Sequence, residues 1–271
     1  MSPKKIVHTD LTGRLPTIDE VAHYTDDLLK TSAIPDYANA LNGLQIQSRA
    51  PLRSIAAAVD LSTRAIEGAK EAKANLLIVH HGMFWGGLTP LIGPAYRRVQ
   101  LLIENDIAVY SSHIPLDCHQ TLGNNVLLAR ELDLKPSREF ARFEGISIGL
   151  AGDSDLHTQT LVDKATAFAR RYGHVVRTTP VEDNRRTRRW GMCSGAGASA
   201  DTLEEAIDAG IDTLIVGEGP HWTAITAEEN DLAIIYAGHY ATETLGVCAL
   251  ARHLGDKYKV PWQFVSAPTG L

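Results

Sequence analysis

The sequence predicts an α/β protein of two lobes, with the C-terminal segment returning to the first. Three observations carry that expectation. Apolar, strand-like runs alternate with helical stretches, the pattern of βαβ units on a largely parallel sheet. The alternation breaks near Leu134-Lys135-Pro136-Ser137 and starts again near Gly145. Histidines and carboxylates that suit one metal site lie far apart in the chain, at His80, His81 and Asp117 and again at His239 and Glu243. If they share a site, the last segment must come back after the second lobe is made. The domains are then expected as 1–135 with 231–271, carrying the metal site, and 136–230.

The elements follow in order. Thr17-Ile-Asp-Glu20 has the form of a capping box, in which the threonine oxygen takes an orphan amide and the glutamate reaches back, so a helix is expected through about Leu29. After the turn at Asn42-Gly43 come a strand over Ile55 to Val59, a helix from Ser62 to Lys73 and a strand over Leu76 to Val79. A helix around Tyr96 to Glu104, a strand over Ile107 to Tyr110 and a helix from about Asn125 to Glu131 complete the first series. The second has a strand over Ile146 to Leu150, a helix near Leu161 to Arg171, and strands from His174 and from Arg189. It continues with a helix from Asp201, a strand over Asp212 to Val216, a helix after Pro220, a strand over Leu232 to Tyr236 and a helix from Ala241. No tandem repeat or low-complexity segment interrupts the series.

Composition bounds the function. A chain of 271 residues buries a core without needing a disulfide or structural metal to fold. Cys118, Cys193 and Cys248 are odd in number and widely spaced, which encodes neither a disulfide framework nor a zinc ribbon and suggests a reducing cytoplasm. No apolar run approaches the roughly 20 residues that span a bilayer. The basic start Met1-Ser-Pro-Lys-Lys5 has no apolar region behind it, so no signal peptide, anchor or membrane partner is expected. A net charge of −6 disfavours broad attraction to nucleic acid, with Arg185-Arg-Thr-Arg-Arg189 as the local exception. That run reads as a solvated loop or as a phosphate or partner contact.

Ligands of parallel α/β sheets bind beyond the carboxyl ends of the strands, and each group of donors follows an apolar run. His80 and His81 close Asn75-Leu-Leu-Ile-Val79, His113 and Asp117 lie in Ser111-Ser-His-Ile-Pro-Leu-Asp117, and His239 follows the run to Tyr236. Adjacent strand residues point to opposite faces, so His80 and His81 share a site only where the pleat ends, and Gly82 permits that break. Imidazole and carboxylate donors suit zinc, manganese or iron(II) and disfavour calcium. Five donors exceed what one catalytic zinc takes, which points to two ions with Glu243 or Asp117 as a bridge and a water activated between them.

His113 and His119 read as supporting or acid–base groups, and Tyr240 as a packing residue or a donor to substrate. His8, His23, His157, His174 and His253 read as ordinary hydrogen-bonded residues. Gly217-Glu-Gly-Pro-His221 and Ser194-Gly-Ala-Gly-Ala-Ser199 read equally as tight turns or as anion-holding amides. Neither is a dinucleotide or P-loop fingerprint, and no G-x-S-x-G elbow or cysteine and histidine pair offers a protein nucleophile. Metal-activated water is the chemistry expected.

Asp36-Tyr37 with Asn42-Gly-Leu-Gln45, Val79-His-His-Gly82, Ser112-His-Ile-Pro-Leu-Asp117, Gly217-Glu218 and Ala237-Gly-His-Tyr-Ala-Thr-Glu243 resemble, in order, the motifs of the Nif-three-like, dinuclear-metal-centre hexameric proteins. Members are often labelled GTP cyclohydrolase I type 2 homologues. The resemblance runs from about residue 17 to the C-terminus. It implies a two-lobed α/β fold, a toroidal homohexamer built as a trimer of dimers, and two divalent ions per subunit facing a central cavity. By motif position the ligands are His80, His81, Asp117, His239 and Glu243, the last as a bridge. The chain resembles the short form, without an inserted domain. Where the family has His-Thr-x-Leu-Asp, this chain has His113-Ile-Pro-Leu-Asp117, which keeps the carboxylate and stiffens the turn at Pro115.

The implied function is hydrolysis of a small molecule, a nucleotide such as GTP among the candidates. Water would attack the purine C8, the ring would open and formate would leave, with His113 or Tyr240 moving protons. The alternatives are a non-catalytic metal-binding or regulatory ring that contacts nucleic acid or protein partners through Arg185 to Arg189, and a protein of metal storage or delivery.

Overall fold

A computed structural model describes residues 14–271; His8 and the basic start lie outside the described residues. The capping box is present: Thr17 Oγ1 accepts from the Glu20 amide and the Glu20 carboxylate from the Thr17 amide at 2.8 Å, opening α1 (Ile18–Leu29). There follow β1 (Gly43–Ile46), β2 (Ile55–Asp60), α2 (Thr63–Glu71), β3 (Leu76–His81), α3 (Gly93–Glu104), β4 (Ala108–Ser111) and the single turn α4 (Ile114–Asp117). The middle of the chain holds α5 (Asn124–Glu131), β5 (Arg138–Phe143), β6 (Ile146–His157), α6 (Thr158–Arg170), β7 (Arg177–Thr178), β8 (Arg186–Cys193), α7 (Ala200–Asp208), β9 (Thr213–Val216), α8 (His221–Glu229) and β10 (Ala233–Tyr236). Last come the long α9 (His239–Tyr258) and β11 (Trp262–Phe264).

Two compact units result. One runs to Leu116 and takes in Val247–Ala267; the other is Asp117–Gly246 with Pro268–Leu271. The chain passes between them inside α4 and inside α9, which differs from the expected division at 135 and 231. The packing explains the difference. Leu128 of α5 and Leu132 just after it are buried in one cluster with Trp190, and β10 hydrogen-bonds to β9 and β7, so both stretches belong to the second unit.

The first unit has the sheet order β1-β4-β3-β2-β11, parallel except for β1. Every residue of β3 is buried, as expected of a central parallel strand covered on both faces, which is why it reads as an unbroken apolar run. Leu77 and Val79 of β3 pack with Ala56, Ala58, Ile66, Leu102 and Val109. The C-terminal segment returns as β11, whose Trp262, Gln263 and Phe264 pair with Ile55, Ala56 and Ala57.

The second sheet, β5-β6-β8-β9-β10-β7, is mixed, where the alternation predicted largely parallel strands. Only β8, β9 and β10 run parallel. The cause is local: Phe143 pairs with Ile146 across Glu144-Gly145, both at positive φ (44° and 86°), the conformation of a tight hairpin that returns the chain antiparallel.

Candidate metal centre

In the first unit, β3 ends in His80 and His81. Their ring centroids lie 4.9 Å apart, although the strand runs through His81, which pairs with Asp60 of β2. Gly82 is needed for a steric reason. A Cβ there would run into the Gln45 side chain, whose Oε1 accepts from the Met83 amide at 2.7 Å and whose Nε2 donates to Leu41 O at 2.9 Å. His113, after β4, is the third ring, 4.8 Å from His80 and 5.5 Å from His81. One nitrogen from each of the three lies within 4.8 Å of the others.

Each of these rings is oriented by an oxygen at Nδ1. His80 Nδ1 is 2.8 Å from Ser112 O, and a carbonyl only accepts, so this nitrogen carries the hydrogen and a neutral ring keeps its lone pair on Nε2. His81 Nδ1 meets Asp60 Oδ1 at 2.8 Å, across the β2–β3 register in which Asp60 faces His81. His113 Nδ1 meets Asp36 Oδ1 at 2.8 Å. Asp36 also accepts from Asn42 Nδ2 and from the amides of Tyr37 and Ile114. Burial opposes its charge, yet the His113 ring, Asn42 and Ile114 hold its carboxyl below the usual range.

In the second unit, His239 opens α9 and stands one turn from Glu243, Nε2 to Oε2 at 3.0 Å. Its Nδ1 meets Glu218 Oε1 at 2.7 Å. Burial alone would lower the His239 pKa, but the Glu243 and Glu218 carboxylates outweigh it and raise it to about 9. Two acceptors, a ring nitrogen lone pair and a carboxylate oxygen, meet at hydrogen-bond distance only if a cation lies at them. A proton on Nε2 serves, and so does a metal ion. The wall facing them is Gly195 at φ +62°: a Cβ would strike Glu243 Oε1 and come within 3.4 Å of His239 Nε2. The loop from Ser194 is thereby a spacer for this carboxylate, held by Gly195 N to Thr242 Oγ1 at 3.0 Å and Ser194 N to Asn125 Oδ1 at 2.8 Å.

Asp117 lies in the same unit. Asn124 Nδ2 donates to its Oδ1 at 2.8 Å, while Asn124 Oδ1 accepts from the Gly246 amide of α9 at 2.7 Å, so one buried amide ties Asp117 to the helix of His239 and Glu243. The Cys193 thiol is pushed up first by its burial and then by the Asp117 and Glu243 charges. These donors fit divalent ions: imidazoles each held at Nδ1 by an oxygen, the buried Glu243 carboxylate, and a glycine where a side chain would fill the space.

The other expected candidates have the following surroundings. His119 Nδ1 accepts from the amides of Thr121 and Leu122 at 3.2 and 3.1 Å, a turn-holding role. Tyr240 is 2% exposed and its amide donates to Leu271 O at 3.1 Å. His221 is exposed at the start of α8. Arg185, Arg186 and Arg189 have acidic partners in Asp231, Asp155 and Asp153. The sequence alone assigns no role to Asp60 and Asn124; Asp36 and Glu218 stood in quoted motifs without a role of their own, and Gly195 in a segment read as a tight turn or as anion-holding amides. The signal for Asp60 was an apolar strand ending in a carboxylate beside the strand that ends in histidines.

Fold and donors define a class: a two-unit α/β protein carrying histidine and carboxylate groups able to bind a metal. The chain belongs to the Duf34/NIF3 (NGG1p interacting factor 3) family, whose profile matches residues 16–269. A relative in Deinococcus radiodurans, described as GTP cyclohydrolase 1 type 2 homolog, is 40% identical over 255 residues, covering 93% of this chain and 94% of its own. Among solved structures, protein ybgI, described as of unknown function, superposes with a TM-score of 0.83 at 29% identity, over 94% of this chain and all of that one. The protein TTHA1606 from Thermus thermophilus gives 0.78 at 35% identity, over 93% and 99%. No helix among the described residues is long and apolar enough to cross a membrane.

Proposed function

We propose that the chain is a divalent-metal-dependent hydrolase with a dinuclear centre, acting on a small molecule in the manner of a GTP cyclohydrolase. The observation that carries this reading is the orientation of every candidate imidazole by an oxygen at Nδ1, from Ser112, Asp60, Asp36 and Glu218. Such partners fix which nitrogen is offered to an ion and raise its basicity. The relatives' name supports the substrate class. His80, His81, Asp117, His239 and Glu243 would hold two ions of zinc, iron or manganese, with Glu243 shared. When bound, such ions supply Lewis acidity and a water acidic enough to be a nucleophile at neutral pH.

The remaining work falls to the protein. Opening a purine at C8 adds one water and breaks one C–N bond to leave a formamide, and a second water hydrolyses that formamide to formate, so each ring nitrogen must gain a proton as it leaves. His113, held at Nδ1 by Asp36, would take and return that proton through Nε2, and Tyr240 is the second candidate. A cytoplasmic homohexamer belongs to the same proposal. Exposed Leu88, Leu91, Ile92 and Tyr96 support assembly as a surface to bury between copies.

The test is formate release from GTP by protein loaded with each metal in turn. Turnover that disappears in Glu243→Ala, and falls by roughly 100-fold or more in His113→Asn with metal content unchanged, is expected. Full metal loading with no hydrolysis of GTP, other nucleotides, phosphoesters or amides would overturn the hydrolase reading.

A further inference from the structure

Three residues after His81-Gly82, Trp85 lays its ring against two of the imidazoles, with centroids 4.9 Å from His81 and 4.5 Å from His113. Tyr37 meets Trp85 edge-on at 6.1 Å and stands equally far from His113. Aromatic rings packed for stability alone are usually covered, yet Trp85 is 37% and Tyr37 55% exposed above buried His80 and His81. The space beside them is open. A methyl added at Gly86 would meet nothing within 4 Å, and one at Gly87 would have the Asn39 amide as its nearest neighbour, 3.5 Å away. The loop itself is tied down by Gln45 at Met83 and by the Gly87 amide to Phe84 O at 2.8 Å.

We propose that Trp85 forms a stacking platform for a planar heteroaromatic ring, a nucleobase by class, with Tyr37 as a wall at right angles to it and the exposed Asn39 amide reading its edge. Resting on the reading of the neighbouring imidazoles as the reaction centre, this names the kind of substrate that centre takes. An indole with exposed surface stacks on any base, because every base has a π-face. The carboxamide adds donors and an acceptor that match a base edge. A purely aliphatic or sugar substrate would leave this surface unused.

Calorimetric titration of the full-length, zinc-loaded protein with GMP and with ribose 5-phosphate tests the platform. GMP binds and ribose 5-phosphate binds at least about 10-fold more weakly, since only the former can stack. Trp85→Ala weakens GMP roughly 5- to 150-fold and leaves ribose 5-phosphate unchanged, whereas Trp85→Phe, which keeps a π-face, stays within about threefold of wild type. Equal affinity for the two ligands, or equal losses in Trp85→Ala and Trp85→Phe, overturns the proposal. So does a Trp85→Ala protein of altered assembled mass with unchanged GMP affinity, which would assign the indole to contacts between copies. Metal content and formate release measured on the same samples separate the two ideas. Base-dependent binding without turnover sinks the hydrolase and keeps the platform; turnover without base preference does the reverse.

Discussion

A proton held between His239 and Glu243 makes metal uptake a proton-release reaction. The His239 pKa, raised to about 9, leaves Nε2 protonated at pH 7 in ion-free protein, so an entering ion must displace that proton. Calorimetry of zinc uptake in buffers of different ionisation enthalpy should find about one proton released at pH 7 on this account, and affinity falling as pH drops. No release at pH 7 would contradict it. Asp36 acts in the opposite sense. Its depressed pKa means the stability it contributes is present above the ordinary carboxylate range near pH 4 and lost as pH falls through its still lower folded value. Asp36→Asn is therefore expected to lower stability by about 1–3 kcal/mol at pH 7, with the gap to wild type closing below about pH 4. Urea melts across pH check this; a gap that persists in acid would assign the loss to packing.

The start of α9 shows how one element brings two donor groups together. The sequence suggested a helix from Ala241, with His239 still in the loop. The helix begins at His239 instead, because Gly238 at φ +95° turns the chain and Thr242 N donates to its carbonyl at 3.0 Å. That places His239 and Glu243 as i and i+4 neighbours on one face. Gly195 is the complementary feature, and its substitution separates strain from site. Gly145→Ala and Gly195→Ala both force a side chain into the left-handed region, for about 1 kcal/mol each. Only Gly195→Ala pushes a methyl onto Glu243. It should lose metal, while Gly145→Ala, with nothing within 4 Å, melts slightly earlier and keeps it. Equal metal content in the two variants would remove Gly195 from the site.

Across the whole molecule, legibility followed the length and regularity of the local signal. The capping box at Thr17 and the apolar runs of β3 and β4 declared themselves, and the strand-end placement of His80 and His81, and of His113, followed from those two runs. The four-residue β1 and three-residue β11 are too short for a periodicity and owe their form to partners in β4 and β2. The β5–β6 hairpin was hidden because Glu144-Gly145 is a turn signal only once both flanks are known to be strands. At the site, donor types were legible; the oxygens that orient them were not, since Asp60 and Glu218 acquire meaning only beside the rings they face. The central claim is a dinuclear centre. The most direct test is elemental analysis of chelator-free protein, with His80→Ala, Asp117→Ala and Glu243→Ala alongside and the assembled mass unchanged in each. About two transition-metal ions per chain, falling in every variant, is the predicted result; wild-type protein that stays empty after zinc, iron(II) and manganese are offered would contradict it.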